Sequence, residues 1–223
     1  MRSTLFRTLL LLSATLPLPA NTFYFNGNFQ HDDDFRVFQF TTLAPSTITA
    51  QTWSYGGPTD PLTSGPLSGG FAPVLTVFDP LGNLAGGPAV GGVNGGSPPC
   101  GTRGIDPNTD FCLDAFIQEL LSPGMYFLFL TQYDNLPSGT SVFDGFDRLG
   151  QGDFTGPAFG PGSGSFYDLN GNQRSSNFVL TIDGVDSVTE FNPVPEPSTL
   201  VLTMFALAGV GGLRKRRTSR LRL

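Results

Sequence analysis

The chain has 223 residues, with 12 basic and 18 acidic side chains and a formal net charge of −6. Between Asn21 and Val194 there are four arginines, no lysine and 17 carboxylates, so this stretch carries a net charge of −13. Because nucleic-acid binding depends on clustered cations that neutralise phosphates, the composition excludes a nucleic acid as partner.

The first 20 residues are typical of a secretory signal peptide. Arg2 and Arg7 form a basic region, an apolar run begins at Leu9, and Ala20 is a small residue at a plausible cleavage position. The alternative is an N-terminal anchor that stays attached. Both interpretations predict export through the inner membrane and leave residues 21–192 as the ectodomain.

The ectodomain is predicted to be all-β. It is long enough for one domain with a real core, and its glycine, proline and phenylalanine content with few helix formers favours strands over helices. Short apolar stretches bounded by turn residues recur along it. The stretch Phe116–Leu121 is ambiguous between a strand and a helical turn, and its flanking turn residues favour a strand. The predicted strands are Phe35–Thr41, Thr47–Trp53, Val74–Phe78, Phe116–Leu121, Met125–Tyr133 and Phe178–Ile182.

Residues 125–130 are apolar on both faces, which predicts a central strand covered from two sides. A turn is predicted at Asp79–Asn83, and Asn170-Gly171 favours a tight hairpin because Gly tolerates positive φ. Gly, Pro and Ser dominate three further stretches, which predict long loops at residues 56–70, 82–104 and 150–165.

Cys100 and Cys112 are the only cysteines, and eleven residues separate them. In an exported chain this favours a disulfide. Closing such a loop stabilises a fold by about 3 kcal/mol in the chain-entropy account. A two-cysteine metal site is the weaker alternative, because zinc usually takes four ligands.

The single histidine, His31, is expected to be an exposed loop residue rather than a catalytic base. No Gly-x-Ser-x-Gly elbow is present to place a nucleophilic serine beside it. A glycosidase would need paired carboxylates, and only Glu119 and Glu190 are glutamates within the ectodomain. The chain is therefore predicted not to be an enzyme, with a secreted hydrolase as the least favoured alternative.

Two groups of aspartates have the oxygen chemistry that calcium prefers. One group precedes the first predicted strand, where a simple solvated turn is the alternative, and the other follows the central strand. They make a calcium-stabilised adhesion module an alternative function, and no other cofactor is predicted. The candidate ligands are Asp32, Asp33, Asp34, Asp134, Asp144, Asp147 and Asp153.

Trp53 and Tyr55 precede the predicted loop at residues 56–70 and are candidate stacking faces for a carbohydrate. An extracellular polysaccharide would then be the partner. The alternative is that these aromatic side chains belong to the core, as most aromatics in sandwiches do.

The C-terminus combines three features in order: Val194-Pro195-Glu196-Pro197, an uncharged run from Ser198 to Leu213, and Arg214-Lys215-Arg216-Arg217. A helix over residues 198–213 spans roughly 24 Å, somewhat less than the hydrocarbon thickness of a bilayer. The basic cluster marks the cytoplasmic side. The run is therefore predicted to be one transmembrane helix with the ectodomain outside, and a buried core helix is the alternative.

These three features resemble the PEP-CTERM sorting signal of Gram-negative bacteria that secrete exopolysaccharide. The resemblance covers residues 193–223. It implies that the membrane protease exosortase recognises Pro-Glu-Pro and cleaves nearby. It also implies delivery to the cell surface or the extracellular matrix, with membrane anchoring before processing.

Several short sequence segments in the middle of the chain resemble the DVUA0089 family of PEP-CTERM proteins. That family is similar to bacterial pre-peptidase C-terminal domains, so the resemblance implies a jelly-roll-like β-sandwich without catalytic residues. The favoured function is therefore an exported, non-catalytic structural or binding sandwich. The segments are Phe71–Pro80, Asp106–Ala115, Leu130–Asn135, Gly145-Phe146 and Gly152–Gly156.

Overall fold

A computed structural model describes residues 21–56, 69–90 and 104–191, which form two sheets in which every strand pair is antiparallel. The first sheet has four strands in the order β1-β8-β3-β6. Their bounds are Phe23–Asn28 for β1, Asn177–Asp183 for β8, Ser46–Thr52 for β3 and Phe116–Leu121 for β6.

The second sheet has five strands in the order β5-β4-β7-β2-β9. The central strand of this sheet, β7, is Gly124–Gln132. The bounds of the others are Leu84–Val90 for β5, Pro73–Phe78 for β4, Phe35–Thr42 for β2 and Ser187–Phe191 for β9. The predicted all-β sandwich is confirmed, while the finer jelly-roll assignment stays a prediction.

The main core lies between the two sheets. Alternation along β8 turns Phe178, Leu180 and Ile182 inward, and Ile48 and Ala50 do the same from β3. These five side chains are at most 1 % exposed, so the side chains between them point to the outside of the four-stranded sheet.

A second apolar cluster covers the outer side of the five-stranded sheet. Phe127 and Phe129 of β7 contact it, while Leu128 and Leu130 of the same strand face the main core. Val142, in a short 3₁₀ helix at Val142–Asp144, closes over this side. The predicted central strand that is covered from two sides is therefore confirmed.

All six predicted strands are present, but three further strands were missed. The prediction of a loop over residues 82–104 was wrong at Leu84–Val90, which pairs with β4. The glycines in this strand led to the prediction of a loop. Gly86 is needed here because the strand lies close to β6: a Cβ at this position would be 2.6 Å from Cγ of Glu119. Both predicted turns are confirmed, since Gly171 has φ of 78° beside the Tyr167–Gln173 bridge and Asp79 accepts bonds within its own turn.

Residues 1–20 and 192–223 lie outside the described residues, and with them lie the predicted signal peptide and the predicted transmembrane helix at residues 198–213. Among the described residues, no helix has the length and apolar character needed to cross a membrane. The longer of the two helices there, α1, spans only Thr155–Phe159.

Candidate functional site

The outer face of the four-stranded sheet carries a row of side chains that crosses all four strands. Tyr24 of β1 lies opposite Thr181 of β8, Thr181 lies opposite Gln51 of β3, and Gln51 lies opposite Phe116 of β6. Their parity is opposite to that of the core residues, so all four point away from the core. The two middle residues, Gln51 and Thr181, are nevertheless buried, and the exposed side chains are those at the ends of the row. We call these four residues the outer row.

Trp53 extends this face just beyond the end of β3. Its backbone N–H donates to the carbonyl oxygen of Val179 at 3.0 Å, and its indole Nε1–H donates to Oγ1 of Thr181 at 3.1 Å. The side chain is half-buried. Tyr24 and Phe116, at the two ends of the outer row, are each 37 % exposed. Three aromatic rings therefore lie along one sheet face.

Apart from Val179 and the exposed Leu120, the rest of this face is polar and almost uncharged. Gln118 donates through Nε2 to Oγ1 of Thr49 at 3.2 Å. Asp183 accepts a hydrogen bond from the hydroxyl of Thr22 and is the one carboxylate among the outward positions of these four strands. The face therefore combines aromatic rings with amides and hydroxyls that both donate and accept hydrogen bonds.

The aspartates of residues 32–34 connect loops. Asp32 is fully buried and accepts hydrogen bonds at 2.7 Å from the N–H groups of Thr155 and Phe166. Burial raises the pKa of the Asp32 carboxyl, and these donors oppose that rise. Asp33 accepts from the N–H of Gly150, and Asp34 accepts from its own loop. The prediction of a solvated turn is wrong for Asp32, because its side chain is fully buried. The two residues that donate to it lie more than 120 residues away in the sequence.

The aspartates after the central strand also have protein partners rather than a common centre. Within the described ranges, no group of three or more His, Cys, Asp or Glu side chains is arranged to hold a metal ion. Calcium at these aspartates stays a prediction that their geometry does not support. The observed contacts are Asp134 with Arg148, Asp144 with the N–H of Ser141, Asp147 with the Ser138 hydroxyl, and Asp153 with Nδ1 of His31.

A cavity of about 320 Å³ is lined by residues between Arg148 and Ala158, one of which, Asp153, contacts His31. The Arg148 guanidinium lies 5.4 Å from the ring centre of Phe154 and pairs with Asp134. His31 is 57 % exposed beside it, as expected for a loop residue. Because Asp134 neutralises Arg148, the cavity offers an anion no free cation. Its lining is Arg148, Gln151, Asp153, Phe154, Pro157 and Ala158.

Tyr55 is fully buried, and the prediction that it stacks on a carbohydrate was wrong. Its hydroxyl donates to Oδ2 of Asp168 at 2.7 Å, and the Arg174 guanidinium lies 3.9 Å from its ring centre. Burial raises the pKa of the Tyr55 hydroxyl, which stays neutral. No ring face remains for a ligand.

Sequence reasoning also missed the buried ion pair beside Tyr55. Arg174 and Asp106 are 5 % and 0 % exposed and lie 2.7 Å apart. Arg174 also donates to the carbonyl oxygens of Gly70 and Tyr55. Burial of Asp106 favours the neutral acid, but the hydrogen bonds from Arg174 and Thr109 outweigh it and lower the pKa of Asp106. The ectodomain has four arginines and 17 carboxylates, and this excess of acids was the one sequence feature that indicated a paired arginine.

Asp114 is the second buried carboxylate that sequence reasoning missed. It accepts hydrogen bonds from the N–H groups of Ser54, Tyr55 and Gly56 at 2.7 to 3.1 Å, and from the Thr52 hydroxyl at 3.0 Å. Burial raises the pKa of Asp114, and these four donors oppose the rise. The carboxylate therefore holds the chain as it leaves β3.

Two further predictions concern residues outside these sites. Cys112 is buried and disulfide-bonded, while Cys100 lies outside the described residues, so the pairing stays a prediction. Glu119 and Glu190 lie on β6 and β9, which are edge strands of different sheets. The structure therefore places the two glutamates of the ectodomain on separate sheets.

Residues 193–217 match the family model of the PEP-CTERM protein-sorting motif. The chain carries a PEP-CTERM sorting motif. It includes Val194-Pro195-Glu196-Pro197, the apolar run and Arg214-Lys215-Arg216-Arg217. The motif implies export and exosortase-dependent sorting to the cell surface of a Gram-negative bacterium.

The sorting motif begins two residues after β9 ends at Phe191, so it follows the last strand of the sandwich without a long linker. Comparison with curated proteins gives no significant match. The match to the sorting motif does not reach the ectodomain, so the DVUA0089 and pre-peptidase resemblance stays a prediction.

Proposed function

We propose that this chain is a non-catalytic structural or binding sandwich that exosortase processes for residence at the cell surface or in the extracellular matrix. The observation that carries the proposal is the sorting motif at residues 193–217, placed directly after the last strand. The run at residues 198–213 would anchor the precursor in the membrane until it is processed.

The environment of the buried carboxylates supports a role without catalysis. Asp32 and Asp114 each accept hydrogen bonds from backbone and hydroxyl groups, and Asp106 is bound to Arg174. Carboxylates that are fully buried and hydrogen-bonded in this way stabilise loops and are not accessible to a substrate. A secreted hydrolase remains the alternative, and turnover of a glycan or peptide panel by the purified protein would favour it.

Substitution of the motif glutamate tests the sorting. In Glu196→Ala the Pro-Glu-Pro sequence is lost, so we expect uncleaved precursor to accumulate in the membrane fraction of exosortase-containing cells. Immunoblotting of membrane, surface and medium fractions measures this. The matched control is Glu190→Ala, since Glu190 lies on β9 outside the motif and its replacement is expected to leave processing unchanged. Normal trimming and sorting of Glu196→Ala would refute the proposal.

A further inference from the structure

We propose that the outer face of the four-stranded sheet binds a neutral polysaccharide chain, with Trp53 and the ends of the outer row as stacking positions. The inference deepens the proposed function by naming the ligand class, and it relies on that function for the extracellular setting. Its own evidence is the arrangement of side chains on this face.

Aromatic rings form a line across this face. Adjacent strands lie about 4.8 Å apart, so Tyr24 on β1 and Phe116 on β6 are separated by three strand spacings, or roughly 14 Å. Trp53 reaches β8 between them through its bond to Thr181. An extended sugar chain presents the apolar C–H faces of its rings along such a line, and aromatic rings of this kind bind them.

The indole of Trp53 is already held in place. Its one polar group donates to Thr181, so no buried donor is left unsatisfied. The ring is half-buried, whereas core aromatics such as Phe38 and Phe178 are at most 1 % exposed. A ring fixed in position before binding loses little conformational entropy when a ligand stacks on it.

Polar side chains surround the aromatic rings on this face. Asn26, Gln118 and Asn177 are exposed outward-facing amides on three different strands. Amides donate and accept hydrogen bonds, as sugar hydroxyls do. Amide groups beside aromatic rings therefore match a ligand that is apolar on its ring faces and hydroxylated at its edges.

Charge selects a neutral ligand over an anionic one. None of the outward positions of the four described strands is basic, and Asp183 adds a negative charge. Arg148 and Arg174 pair with carboxylates elsewhere, and the Arg36 guanidinium donates to the carbonyl oxygen of Asn28. A uronate-rich or sulfated chain would meet repulsion from the acidic ectodomain.

The opposite sheet provides a contrast. Its outer side is covered by its own apolar cluster under Val142 and Phe146. On the four-stranded sheet, Tyr24 and Phe116 are 37 % exposed and Leu120 is 73 % exposed. Exposed aromatic side chains in the strands themselves, Tyr24 and Phe116, therefore lie on the four-stranded sheet, whereas Phe143 on the other side lies in the 3₁₀ helix.

Affinity electrophoresis of the full chain in mild detergent tests the inference. Native gels containing hydroxyethylcellulose, galactomannan or dextran are the neutral arms, and alginate is the anionic arm. We expect at least one neutral polysaccharide to retard the wild-type protein and alginate not to do so. Phe116→Ala and Tyr24→Ala are each expected to raise the apparent Kd about tenfold.

The matched control is Phe143→Ala, because Phe143 is 57 % exposed but lies in the 3₁₀ helix on the other side of the sandwich. It should bind as the wild type does. Trp53→Ala should abolish retardation, and its melting temperature separates lost binding from lost folding. If it unfolds, Phe116→Ala and Tyr24→Ala decide the question, since their rings are partly exposed.

Three outcomes would overturn the inference: no retardation by any neutral polysaccharide, retardation by alginate alone, or unchanged retardation when Tyr24 and Phe116 are both alanine. None of these affects the sorting of Glu196→Ala, so failure of the ligand assignment is distinguishable from failure of the proposed function.

Discussion

Asp114→Ala is expected to lower the free energy of unfolding by about 3–5 kcal/mol, because it leaves several buried donors without an acceptor. Three of them are consecutive backbone N–H groups from Ser54 to Gly56, and the fourth is the Thr52 hydroxyl. Water cannot replace the carboxylate, since Asp114 is fully buried. Urea denaturation followed by the fluorescence of Trp53, the single tryptophan, measures the change.

The matched control is Asp79→Ala. Asp79 likewise accepts from two backbone N–H groups, those of Leu81 and Asn83, and from the Asn83 side chain, but its turn is open to solvent. Water satisfies these donors after the substitution, so the loss should be about 1 kcal/mol or less. Asp114→Asn keeps one acceptor oxygen and should fall between the two. Equal losses for Asp114→Ala and Asp79→Ala would show that burial does not set the cost.

Arg174→Met is expected to destabilise the fold by about 3–5 kcal/mol, the usual cost of removing one member of a buried pair. It leaves the Asp106 carboxylate without its cation and removes donors from two carbonyl oxygens. The same substitution at Arg148 is the control. Arg148 and Asp134 are 34 % and 29 % exposed, so Arg148→Met should cost about 1 kcal/mol or less, and less still in high salt.

The pair with Asp106 also predicts how stability depends on pH. The pKa of Asp106 is lowered in the folded protein, so its contribution is present above the ordinary aspartate value of 3.8 and is lost as pH falls through the folded value. The difference in unfolding free energy between wild type and Asp106→Asn should therefore shrink below about pH 4.

Asp32 and Asp114 act in the opposite sense. Burial raises the pKa of each, so their contributions decline as pH rises through the folded values. Comparing wild type with Asp106→Asn at each pH cancels these contributions. A difference that stays constant from pH 7 to pH 3 would show that the ion pair is not what titrates.

The strands that were missed have a common position. β1, β5 and β9 are all edge strands, and the one edge strand that was predicted, β6, was also the ambiguous one. An edge strand pairs on one side only and is half open to solvent, so its sequence needs less apolar alternation. In β1 the Asn26-Gly27 pair even favours a turn, yet both residues pair with β8.

The candidate sites show the same division between local and distant information. Trp53 was predicted as a stacking residue from its position beside a loop, and the structure places it on a sheet face with Tyr24 and Phe116. Tyr55, two residues later, would face the same side as Trp53 if β3 continued, but β3 ends at Thr52 and Tyr55 is buried under Arg174. The regular alternation of side chains stops where β3 ends, so the sequence alone does not predict which of these two rings faces solvent.

The amino-acid sequence by itself determined the features that depend on neighbouring residues: the interior strands with their alternation, the turns at Asp79 and Gly171, and a sorting motif that is a linear sequence. Only the tertiary structure decided what the acidic residues do. The donors to Asp32 and Asp114, and the arginine that pairs with Asp106, lie about 60 to 130 residues away in the chain. Whether a carboxylate is a solvated turn residue or a buried acceptor depends on which distant backbone groups the fold brings to it.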